Sequence, residues 1–188
     1  MSTDTLALAR VPGFESTHYA LLDGRIVWTG ETAHSDHPRN LANPWQALPA
    51  HYSAAALRRG AALAWHLLPE RPGLLAWLAG EALPFPLHLA EQRLNDLAQS
   101  LHHQDLAAME AASLRLLGLG VGLTPSGDDL VGAVFFTLRH APIAHWHAAM
   151  PGLRKYISRA AQNATNPISA ALLDDLLQGN SYRALHEL

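Results

Sequence analysis

The chain has 188 residues, 49% of them hydrophobic and 15% charged, with a formal net charge of −3. That is ample apolar material for a core and too little charge for a disordered chain, and the length suits one domain, or one domain with a small appendage. With no run of lysines or arginines the footprint of a nucleic-acid binder is missing, and with no cysteine neither disulfides nor thiolate metal sites can form.

The first residues, Met1 to Gly13, lack a basic stretch followed by an apolar one, so no signal peptide is expected. No apolar run approaches the roughly 18–20 residues of a membrane span, and the cytoplasm is the expected compartment. His18–Leu22 and Arg25–Thr29 favour strand and flank Asp23-Gly24, a two-residue hairpin signal because both turn positions need positive φ. Residues 31–50, with Pro38, Pro44 and Pro49, read as a long loop. The expected division is an N-terminal hairpin and loop region over 1–50 and a helical domain over 51–188.

Ser53 can cap a helix over Ala54 to Leu68, with Leu57, Ala61, Leu63, Ala64 and Leu68 near one face. Pro69 and Pro72 break it, and a short apolar helix follows from Gly73 to Ala79. Helical periodicity then runs over Leu87–Leu101 and Leu106–Leu117, where Gly118 stops it. It resumes over Asp128–Leu138, Leu153–Ala161 and Ile168–Leu177. Pro167 suits the first turn of the last helix and Gly179 its C-terminal cap. The fold class is mainly α with a small N-terminal β element.

The informative stretch is Gly118-Leu119-Gly120-Val121-Gly122-Leu123-Thr124-Pro125-Ser126-Gly127-Asp128-Asp129. Four glycines between two helices allow positive φ and let backbone N–H groups approach a ligand without a Cβ in the way. The loop feeds a helix N-terminus, which favours an anion, and Thr124 and Ser126 add hydroxyl donors. Phosphate, carboxylate or a carbamoyl group fits such a cradle. A purely structural turn is the competing reading, since Ser126 and Asp129 have capping-box spacing and both aspartates sit where the helix dipole favours carboxylates. The two carboxylates would repel a phosphate unless they face away or a cation such as Mg²⁺ intervenes, so the cofactor stays open. On this reading Asp129 has the capping role, and loss of Asp128 touches ligand more than stability.

The string GLGVGLTPSGDDLVGA resembles the hallmark of a bacterial family that includes AllH, a subunit of oxamate carbamoyltransferase. Thr165-Asn166-Pro167-Ile168-Ser169-Ala170-Ala171-Leu172-Leu173, followed by Gly179, is similar to the family's second block. Together the two blocks cover about 30 residues. The resemblance implies transfer of a carbamoyl group between phosphate and oxamate, in the anaerobic use of allantoin-derived nitrogen from purine catabolism. It implies further protein subunits of the same pathway as partners. By position it carries over Gly118, Gly120, Gly122, Thr124, Pro125, Ser126 and Gly127, with Thr165 and Ser169, as ligand-binding residues, and Asp128 and Asp129 as catalytic ones.

Twelve histidines invite a metal reading, but no HExxH-like pair occurs and the His145-x-His147 spacing suits a strand, not the turn expected there. No metal site is assigned. Of the five tryptophans, Trp45 in the proline-rich loop is the candidate for an exposed contact. Three function classes remain. One is an enzyme, or an enzyme subunit of carbamoyltransferase type. The second is a non-catalytic small-anion-binding or regulatory subunit. The third is a structural partner with a rigid turn and no ligand.

Overall fold

The computed structural model describes residues 8–29, 36–42, 44–45, 52–68, 73–141 and 144–186. The fold is mainly helical with a small N-terminal sheet, and the chain divides into two compact units. One comprises Met1–Ala50 together with Asn180–Leu188, the other His51–Gly179.

In the first unit, β1 (Ala9–Arg10), β2 (Tyr19–Leu22) and β3 (Arg25–Trp28) form an antiparallel sheet in the order β1-β2-β3. Asp23 and Gly24 have φ of 50° and 77°, the two positive values that a tight hairpin turn demands, and the register pairs Leu22 with Arg25. The third strand, β1, is too short to leave a pattern in the sequence. Trp28 packs edge-on against Tyr19 and tilts against His37, and Tyr182 packs against both His37 and Trp28. Burial, followed by the charges of Arg39, Arg25 and His186, holds His37 down at about 4, and its Nδ1 accepts the Arg39 N–H. The C-terminal α8 (Arg183–His186) belongs to this unit and joins it through the Arg183 N–H, which donates to the Asp36 carbonyl. Pro49 and His34 lie outside the described residues.

The second unit runs through α1 (Ala54–Leu67), α2 (Leu74–Leu78), a 3-10 turn at Leu87–Ala90, α3 (Glu91–His103), α4 (Leu106–Leu116), α5 (Ser126–His140), α6 (Ala144–Ala164) and α7 (Pro167–Leu177). Ser53 caps α1 by accepting the Ala56 N–H, yet the helix leaves Leu63 and Leu67 more than half exposed. Its apolar stripe is therefore not a core face. Trp65 on it is exposed, whereas Trp45 is half-buried against His186, so the exposed tryptophan is not the one the loop composition singled out.

Helix α6 is much longer than the segment Leu153–Ala161 that the sequence suggests. Its buried residues Trp146, Met150, Leu153, Ile157 and Ala161 keep one helical stripe across Pro151, and this packing outweighs the hydrogen bond that proline forfeits. Val131 and Phe135 of α5 are completely buried, Leu138 is buried, and Val134 is half-buried. Helices α5 and α7 press together at Gly132, where a Cβ would lie 2.4 Å from Leu176 Cδ1. The core helices α4, α5, α6 and α7 thus bring the 118–129 turn and the start of α7 to one end of the unit.

Candidate functional site

Two helices flank the turn. Helix α4 stops at Leu116, and Gly118 follows with φ of 72°; α5 starts at Ser126, so Asp128 and Asp129 lie in its first turn. The N-cap is Pro125 and makes no side-chain cap. The capping-box expectation for Ser126 and Asp129 therefore fails. Proline fixes the entry to the helix, and the Asp128 and Asp129 N–H groups donate to the Pro125 carbonyl.

Asp128 is the hub. Its side chain is buried, and its Oδ1 accepts the Gly118 N–H at 2.7 Å while Oδ2 accepts the hydroxyls of Thr165 at 2.5 Å and Ser169 at 2.6 Å. Three donors and the first turn of a helix offset the desolvation of one carboxylate. The structure thus brings Asp128, Thr165, Ser169 and Gly118 into one cluster. It also brings in Asn166, which carries no charge and escaped notice as a site residue. Asn166 caps α7 by accepting the Ile168 and Ser169 N–H groups, and its Nδ2 donates to the Leu123 carbonyl at 2.8 Å. The signal was present, since Asn directly before Pro167 is the N-cap then N1 pattern.

Asp129 differs from its neighbour. It is exposed, and the Thr124 hydroxyl bonds to it. Desolvation by the turn around it, and then the charge of Asp128, push its carboxyl above the ordinary value, against the Thr124 bond that lowers it. Of the two carboxylates, Asp128 is buried on donors from the turn and α7, and Asp129 is the exposed one.

The glycines also divide. A Cβ on Gly127 would lie 2.0 Å from the Leu116 carbonyl oxygen, one on Gly118 2.3 Å from that of Ala164, and one on Gly120 2.8 Å from the Ser126 nitrogen. Close packing accounts for all three. Gly122 has φ of 103° with nothing within 4 Å of its Cβ position. Around it, no backbone N–H from Gly120 to Thr124, nor that of Ser126, donates to a protein acceptor among the described residues. The Ser126 hydroxyl likewise has no partner among them. An array of unpaired N–H groups at a helix N-terminus, beside one exposed carboxylate, can take oxygen atoms on one side and an N–H on the other.

His140 is buried with Nε2 3.1 Å from the Gly179 carbonyl oxygen, His145 is exposed, and both His145 and His147 lie on helix α6. Among the described residues no group of three or more His, Asp or Glu is placed to hold a metal ion. A groove of about 680 Å³ between α3 and α4, lined by residues such as Gln92, Asp96, Gln99, His103 and Arg115, includes no residue of the turn. No helix among the described residues is long and apolar enough to cross a membrane.

Residues 116–188 match the family model described as oxamate carbamoyltransferase subunit AllH. The match starts at the last residue of α4 and takes in the turn, the Asp128 hub and the whole of α7. No curated protein and no solved structure matches the chain.

Proposed function

From the likeness of residues 116–188 to an oxamate carbamoyltransferase subunit, we propose that this chain works as a subunit of a carbamoyltransferase. Its turn 118–129 then holds a small carbamoyl, carboxylate or phosphate ligand. The observation that supports this most directly is the run of backbone N–H groups around Gly122 that lack an acceptor among the described residues, lying within the matched segment. In this reading the N–H groups of Gly120 to Thr124, with the Ser126 N–H and hydroxyl, receive the oxygens of the ligand. Asp129 accepts an N–H from the amide of a carbamoyl group or of oxamate. Asp128, Thr165 and Ser169 do not touch the ligand; they hold the turn to α7. A cation such as Mg²⁺ would have Asp129 as its carboxylate, because the Asp128 oxygens already serve three donors.

Calorimetry with carbamoyl phosphate, oxamate and inorganic phosphate, with and without Mg²⁺, tests this. Binding of one of them at up to millimolar concentration, lost in Gly122→Ala, is the expected result. No heat from any of them sinks the reading. The rigid turn without a ligand, which the packing of Gly118, Gly120 and Gly127 favours, would then stand. Turnover by the isolated chain separates a catalytic subunit from a binding one.

A further inference from the structure

The turn is anchored at its start by Asp128, but its second half has a different hold. Asn166 carries two jobs on one amide. Its Oδ1 accepts the N–H groups of Ile168 at 3.0 Å and Ser169 at 2.9 Å, which caps α7, and its Nδ2 donates to the Leu123 carbonyl. No other hydrogen bond joins Val121, Gly122 or Leu123 to another described residue. The peptide between Leu123 and Thr124 is trans, so the Thr124 N–H points opposite to the carbonyl that Asn166 holds. With the carbonyl drawn toward α7, that N–H is turned away from α7. That peptide turns about ψ of Leu123 and φ of Thr124, and among the described residues its carbonyl has only the Asn166 bond to hold it.

We infer that Asn166 is a positioning residue, a latch on the Leu123–Thr124 peptide that aims the Thr124 N–H at the ligand of the turn. The latch itself rests on geometry alone; only the word ligand rests on the function proposed above. The two jobs can be separated, because Ser and Asp are good helix caps but lack the amide donor. Asn166→Ser keeps the cap and drops the bond to Leu123. Asn166→Asp keeps the cap and sets an acceptor against the carbonyl. Asn166→Ala loses both.

The experiment compares the full chain with these three variants by amide NMR and thermal melting, then by titration with inorganic phosphate and with oxamate. The Ser and Asp variants should melt close to wild type while the Gly122 and Thr124 amide signals shift or broaden, more for Asp than for Ser, and the α7 amides stay in place. Affinity should fall about three- to tenfold, the worth of one hydrogen bond. Loop amides at wild-type positions in both variants overturn the latch, as does a disturbance that spreads along α7 as it does in Asn166→Ala. If wild type binds neither probe while the loop-confined shift is present, the latch stands and the ligand reading alone falls.

Discussion

The base and the tip of the 118–129 turn are built from the same residue, glycine, for opposite reasons. At the base, Gly118 and Gly127 let backbone lie against backbone, with the carbonyls of Ala164 and Leu116 occupying the space a Cβ would need. At the tip, Gly122 has open space around it, and only its φ of 103° calls for glycine. The carboxylates repeat the contrast: Asp128 is buried and fully bonded, Asp129 is exposed and carries one hydroxyl. One short segment therefore separates what holds the fold from what faces outward, and neighbouring residues of the same type fall on different sides.

That separation can be broken by mutation. Gly127→Ala should have the largest effect, a loss of more than about 3 kcal/mol in denaturant titration, because its Cβ meets a backbone oxygen that cannot move aside. A loss under about 1 kcal/mol would show that the base is not tightly packed. Next comes Asp128→Asn. It keeps the volume but offers an NH₂ group to donors, and should cost about 2–3 kcal/mol with any loss of ligand affinity following from the unfolding of the turn. Normal stability with abolished binding would move Asp128 to the ligand-facing side.

Smaller effects should come from the tip. Gly122→Ala should cost about 1–2 kcal/mol, all of it backbone strain, and should weaken ligand binding more than this loss of stability explains. Equal loss at base and tip would erase the distinction. The smallest effect is expected of Asp129→Asn, within about 0.5 kcal/mol near neutral pH, as for surface changes generally. Its signature is in the pH dependence. The folded carboxyl lies above 3.8, so the folded state favours the protonated form. The stabilising contribution of this group is present below pH 3.8 and is lost as the pH rises through the raised folded value. The Asn variant should lack that part of the profile, and melting curves across the acid range in both proteins check it.

How much of this could be read from the residues follows the same line. The hairpin at Asp23-Gly24, the helices on either side of the turn and the burial of Phe135 come from local patterns, and local patterns are in the sequence. The roles of Asp128 and Asp129 are not local. Both satisfy the rule for acidic residues in a first turn, and only the docking of α7, some 40 residues on, decides which of them is consumed. Asn166 was legible as a cap beside Pro167, but its second bond, to Leu123, spans the fold. The exposure of α1 was not legible, because an apolar stripe does not say whether anything packs on it.

The Asp128 hub has a consequence in time. Its donors come from Gly118 on one side and from Thr165 and Ser169 on the other, separated by 37 and 41 residues from the carboxylate they serve. A chain growing from the ribosome exposes the glycine segment well before it exposes α7. For the seconds in between, the Asp128 carboxylate has no hydroxyl to accept, and nothing yet draws the Leu123 carbonyl over. The turn takes its final hold only once α7 has docked and brought Thr165, Asn166 and Ser169 to it.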